Sequence, residues 1–299
     1  MSSDLFADLG ATLGSVAVAV DELVDRNKQA AHDSRAQREA HGEPHAGDWG
    51  PHPGRDLQVT VVLLTWSCTD HLDAAARMLS EGHAITSLYT LIRGAAETAS
   101  LARYLSATDI DSVERVRRSM NFELGALVQD INMRKGIPGE EAKVERHRAR
   151  IDAIRRTGED FGLPYTEPKR DYQAGYLGSE PPSATDLIGQ CVSGEPGYRL
   201  PYQLLSGVAH GQLHGLSKFL VQLPVQADPG GVFVHLKADA GDLAGELITG
   251  PACIARLVAH LQWYLGWDTA EVDPPVQSML ATWSRIARLP SVWQVPPIA

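Results

Sequence analysis

Four segments of this chain carry apolar residues on nearly every side at helical spacing, and they constrain the fold more than any other feature. They run over 56–81, 83–106, 198–221 and 243–267. A helix that is apolar all round has to be buried, and four of them in 299 residues must bury one another. The expected fold is therefore all-α, a single helical domain over 1–299. It is a bundle of about eight helices with these four as the inner layer. The other helices are read at about 4–26, where Leu5, Leu9, Leu13, Val16, Val20, Leu23 and Val24 recur, at 110–135, at 139–157 and at 274–287. Two stretches interrupt the pattern. Residues 27–55 lose all apolar periodicity and read as a flexible loop or arm. Residues 162–197 are rich in proline and glycine and read as a long connection or lid. Val232–Leu236 alternate briefly, which admits one short hairpin.

Within the inner layer, Tyr198–Leu220 holds the most unusual pattern. Read as one helix, it places Leu204, Leu205, Val208, Leu213 and Leu216 on an apolar half, and Ser206, His210, His214 and Ser217 on the other. Gly207, Gly211 and Gly215 lie beside the histidines at a spacing of four. Three helix-interior glycines cost roughly 3 kcal/mol relative to alanine, so a closely approaching helix or ligand is expected there. The helix at 83–106 is apolar or small except for Arg93 and Glu97, one turn apart. Charges on a buried helix must pair. The helix at 56–81 places Asp70, Asp73 and Arg77 on the side of Val59, Leu63 and Trp66, with His71 a quarter turn away.

Charge and motifs exclude several classes. The net charge of −10 disfavours non-specific nucleic-acid binding. Between Ile110 and Arg156, eleven Arg or Lys stand against eight Asp or Glu, a basic excess that reads as a helix surface laced with ion pairs. The run from Val59 to Trp66 is far too short to span a bilayer, and no basic-then-apolar leader opens the chain, so a cytoplasmic protein is expected. Cys68, Cys191 and Cys253 are far apart, with no CxxC pair. No GxGxxG, GxxxxGK[ST], GxSxG, HExxH or ExxH occurs. His32, His41, His45 and His52 fall in the 27–55 loop, where no apolar neighbours would fix metal ligands. Arg-x(4–6)-His, the motif of HEPN-type ribonucleases, occurs among other places at Arg26–His32, Arg38–His45 and Arg77–His83, a frequency that chance supplies in a chain of this composition.

Two segments, SLYTLIRGAAETASLARYL at 87–105 and YQLLSGVAHGQLHGL at 202–216, resemble a group of all-helical proteins of high-GC bacteria that carries no assigned reaction. Arg93, Glu97, Ser206, His210 and Gly211 are the matching positions. The resemblance implies a bacterial helical bundle with a remote likeness to HEPN proteins.

Three functional readings follow. In the first, the protein is a small-molecule enzyme or binder with a polar pocket of Arg93, Glu97, His210 and His214 inside the bundle, suited to general acid–base work. The His-x3-His spacing also permits a divalent metal, with Glu97 or Asp70 completing the set of His210 and His214. The second is an RNA-directed, HEPN-like toxin or phage-defence protein using the basic region. The third is a non-enzymatic interaction bundle in which the same residues form a structural polar network. A small-molecule ligand is the expected partner, and a homodimer is compatible with the pattern.

Overall fold

In a computed structural model, residues 2–41, 53–81, 85–170, 172–193, 199–222, 234–236 and 238–289 are described. They form twelve α-helices and two small antiparallel ladders, so the chain is mostly helical, as expected. The number of helices exceeds eight because long apolar segments are broken and two apparent loops contain helices of their own.

The frame consists of α1 (Ser2–Asn27), α3 (Pro53–Glu81), α4 (Ile85–Leu105), α11 (Thr249–Leu265) and α12 (Asp273–Ile286). α3 packs on α1 and α4, and α4 is covered in turn by α11, α7 (Ala184–Ser193) and α8 (Leu200–Ala209). α4 can serve as this hub because the faces it buries are small. Ala95, Ala96, Ala99 and Ala102 are all wholly buried, which lets neighbouring helices approach closely. The segment read as one helix over 243–267 is two, α10 (Ala240–Leu247) and α11. Pro251 lies in the first turn of α11 and has no N–H to give a preceding carbonyl, so the helix restarts there. α5 (Ser112–Arg134) and α6 (Glu141–Asp160) form a satellite with its own small core of Val116, Met120, Leu124, Ile154 and Leu177.

The expected inner layer needs correction at two of its four segments. Over 198–221, Leu200 and Leu213 are exposed. α3 is not covered all round, since Val59, Leu63 and Trp66 stand on an exposed face. α1 takes one side of α3, α4 another and α2 packs beside its first turns, and the stripe of Val59, Leu63 and Trp66 is left open.

The stretch 27–55 is also more than an arm. It contains α2 (Arg35–Ala40), capped by Ser34, whose Oγ accepts from the Gln37 N–H at 3.1 Å. The stretch is sewn to the end of α11 by Ala31 N–H to the Leu265 carbonyl at 2.7 Å and by Trp267 Nε1–H to the Gln29 carbonyl at 2.9 Å. Residues 42–52 lie outside the described residues. The 162–197 stretch contains the ladder of β1 (Tyr165–Thr166) with β2 (Tyr176–Leu177), then α7. The expected hairpin is present as β3 (Leu220–Gln222) paired with β4 (Val234–Leu236).

A buried polar link joins α2 to α5. Arg115 is wholly buried, and its Nε donates to Glu39 Oε2 at 3.1 Å. Its other donors reach the carbonyls of Ala107 at 2.5 Å and Ile110 at 3.0 Å. The guanidinium also lies 5.1 Å from the Tyr264 ring centroid. At the start of α5, Glu114 accepts from Arg117 Nε at 2.6 Å and from Arg118 Nε at 2.8 Å.

Two outcomes follow. Removing one partner of a buried pair strands the other, so Arg115→Ala should lower unfolding free energy by about 3–5 kcal/mol. Arg26→Ala, which breaks the solvent-screened pair with Glu271, should change it far less; urea denaturation compares them. For Glu114, burial raises the carboxyl pKa, but the bonds from Arg117 and Arg118 outweigh it and hold the group below its ordinary 4.5. A depressed folded pKa contributes stability that is complete above the unfolded value and lost as pH falls through the folded one. The stability gap between wild type and Glu114→Gln should therefore narrow below about pH 4.5, measured by denaturation at stepped pH.

Candidate polar site on α4 and α8

The segment 198–220 does not form one helix. α8 ends at Ala209, His210 is its C-cap at φ −91°, and Gly211 follows at φ +65°. Gln212 N–H bonds the Gly207 carbonyl at 2.9 Å and Gly211 N–H bonds that of Val208 at 2.9 Å. This double closure is the Schellman ending, which favours glycine at the left-handed position. After the turn, the short α9 (Leu213–Leu216) folds back on α8. A Cβ on Gly215 would come within 2.8 Å of the Gly207 carbonyl carbon, and one on Gly207 within 2.9 Å of His214 Nε2. The three glycines thus make a turn and a close crossing within the segment itself, in place of the approaching helix or ligand that their spacing suggests.

The break separates the two histidines. His210 reaches α4, where Arg93 NH1 donates to its Nε2 at 2.7 Å. Arg93 Nε donates to Glu97 Oε1 at 2.8 Å, and its NH2 to the Tyr202 hydroxyl at 3.0 Å. The Tyr202 ring centroid lies 5.1 Å from the guanidinium carbon. Arg93, Glu97 and His210, three of the residues singled out from sequence, are therefore gathered, with Tyr202 as a fourth. His214 packs against Gly207 in the α8–α9 crossing. Asp70 lies elsewhere, in a surface cleft of α1 and α3 with Asp21, Asp25 and Asp73. Among the described residues, no group of three or more His, Cys, Asp or Glu side chains is placed to hold a metal ion.

The quartet sits at the surface of the bundle. Side-chain exposure is 20% for Arg93 and 33% for Glu97, and His210 is open to solvent. Burial weighs against the charge of Arg93, but the Glu97 carboxylate outweighs it and holds the guanidinium above its ordinary value. Because arginine only donates, His210 Nε2 must be the unprotonated nitrogen in this arrangement. Three of the five guanidinium hydrogens have partners within the quartet.

Other polar groups serve packing. One turn before Arg93, the buried Tyr89 donates its hydroxyl to Glu246 and meets Phe219 edge-on at 5.6 Å. Burial, then Glu246, pushes its phenol well above the ordinary range. His71 lies directly over Gly94, where a Cβ would come within 2.6 Å of its Nε2. The three cysteines, far apart in sequence, are all buried in the main core. Burial pushes the Cys68 thiol up to about 12, which makes it inert as a nucleophile. Burial, then Arg103, lowers His260 to about 4, so it is neutral at ordinary pH.

Of the Arg-to-His spacings at Arg26, Arg38 and Arg77, His45 and His83 lie outside the described residues. In the first, Arg26 pairs with Glu271 and His32 with Asp33. Tyr202 was the member of the site missed in the sequence. Its signal is position, since it precedes His210 by two helical turns on the same side of α8. Among the described residues, no helix is long and apolar enough to cross a membrane. Comparison with protein families, curated proteins and solved structures finds no match to this chain.

The turn at Gly211 makes a prediction about sign. In a helix interior, Gly211→Ala would stabilise by about 1 kcal/mol. At φ +65°, with open space around the new Cβ, it should instead destabilise by about 1–2 kcal/mol. Chemical denaturation of the two proteins reads the sign directly.

Proposed function

We propose that the protein is a small-molecule enzyme or binder whose polar centre is Arg93 with Glu97, Tyr202 and His210. The observation that carries this reading is convergence. A half-buried guanidinium is held from its own helix by Glu97 and from a helix more than a hundred residues away by Tyr202 and His210. The planar fork of an arginine fixed in this way suits a carboxylate, a phosphate or a polarised carbonyl oxygen. Its two remaining hydrogens would meet the ligand. A ligand that draws Arg93 away from His210 also frees the Nε2 lone pair, which is what a general base requires.

One observation favours the second reading, a non-enzymatic interaction bundle. As it stands, the Arg93 contact occupies that lone pair, and the quartet ties α8 to α4 as a structural network would. An RNA-directed role has less support. At least eight of the eleven basic residues between Ile110 and Arg156 are engaged in ion pairs, among them Arg117, Arg134 and Arg150.

Thermal melts of wild type, Arg93→Lys and His210→Ala, each against a panel of small carboxylates, phosphates and carbonyl compounds, separate the first two readings. A ligand at about 100 times its Kd adds about 2.7 kcal/mol to wild type. The ligand reading expects that gain to vanish in both variants, with unliganded midpoints close to wild type. Variants that melt several degrees lower, with no compound stabilising wild type, would move the quartet from chemistry to scaffold.

A further inference from the structure

The exposed face of α3 carries a charge pattern that the polar site does not explain. Val59, Leu63 and Trp66 are 51%, 55% and 45% exposed, and Val18 of α1 beside them is 54% exposed. A contiguous apolar stripe of this kind marks an interaction surface. Trp66 stands between two adjoining clefts, of about 610 and 460 Å³. The first, toward the start of α3, carries Lys28 and Arg55 and is lined by no carboxylate. The second, toward its end, carries Asp21, Asp25, Asp70 and Asp73 with only Arg77 among them, and Arg77 is paired to Asp73. Burial and the three neighbouring carboxylates push Asp21 above its ordinary value, so this end is a concentration of negative charge short of cations.

We propose that this face is where two copies of the chain meet, related by a two-fold axis near Leu63, with the two α3 helices antiparallel. The stripe reads symmetrically about its centre. Val59 and Trp66 lie equally far on either side of the Val62–Leu63 step, and so do Arg55 and Asp70. A two-fold axis at that step sets Val59 of each copy against Trp66 of the other and Leu63 against its own mate. It also sets the basic cleft of each copy over the acidic cleft of its partner, giving two identical charge contacts. An isologous interface requires such self-complementarity. A chain of net charge −10 repels its own copies, and an association that brings cations to the crowded carboxylates offsets that repulsion where the surfaces touch. A parallel arrangement would bring acidic cleft to acidic cleft.

Sedimentation of the full chain over a range of concentrations tests this, with Leu63→Asp, Arg55→Glu, Asp70→Arg and the double variant R55E/D70R. All three positions are exposed, and melts confirm that each variant folds. Wild type should be a dimer, Leu63→Asp should raise Kd roughly tenfold or more, and each single charge reversal should weaken association. Within one helix, positions 55 and 70 are roughly 22 Å apart at about 1.5 Å per residue, so they do not pair with each other in the monomer. Recovery of dimerisation in the double variant can therefore come only from the antiparallel contact. Three results overturn the proposal. One is a wild type that stays monomeric at every concentration, meaning that another partner or the chain itself covers the stripe. Another is a dimer indifferent to Leu63→Asp, and the third is a double variant no better than the single reversals.

Discussion

A guanidinium with no exposure to water is the constraint on which much of this structure depends. Arg115 cannot shed its proton and cannot be left unsatisfied, because an unpaired buried charge is far too costly to carry. Its partners come from three places. Glu39 belongs to α2, the carbonyls of Ala107 and Ile110 to the corner between α4 and α5, and the ring of Tyr264 to α11. Satisfying this one side chain thus requires that α2 be seated, that the corner be closed, and that α11 lie alongside. Arg35 reinforces the seat by donating to Glu39 at 3.0 Å and to the Ile110 carbonyl at 3.1 Å. A stretch with almost no apolar residues is thereby tied to α5 and α11 by charge and backbone bonds.

The polar quartet depends on a different economy, that of small side chains. α4 touches neighbours on several sides because alanines line its buried faces, and Gly94 lets His71 lie against its backbone. That crowding leaves one face of α4 open enough for Arg93 and Glu97, and α8 closes against it. His210, at the C-cap with near-helical backbone, extends the side of α8 that carries Tyr202 and meets Arg93, and the turn at Gly211 then takes His214 away from them.

The helical class, the extents of α3, α4, α5 and α6, and the meeting of Arg93, Glu97 and His210 were legible in the sequence. The reasons are general, because periodicity reports burial and isolated charges on apolar helices must find each other. What was not legible depended on longer-range partners or on turn chemistry. α2 has too few apolar residues to register as a helix, and its order comes from Arg115, seventy-odd positions away. The fracture at Gly211 was hidden because a spacing of four suits a helix face, whereas the sequence Val-Ala-His-Gly also matches a helix ending. The split at 248 had a visible cause in Pro251, outweighed in the reading by the apolar run on both sides. The three cysteines share a core that their separation in the chain conceals.

The distribution of charge pairing then separates two kinds of surface. On α5 and α6 nearly every arginine has a carboxylate within the same molecule, as in Arg150 with Glu123 and Arg134 with both Asp130 and Glu140. Such a surface is electrostatically closed and gains little from a partner. The face of α3 differs, with Arg55 toward one end, Asp70 and Asp73 toward the other and an apolar strip between them, and Arg77, paired to Asp73, as the cation among the carboxylates. Folding alone does not reward that separation, since placing Arg55 beside Asp70 would lower the energy of the monomer. A surface that brought opposite charges across would complement this arrangement, and among the described residues the same face of a second copy carries the matching pattern.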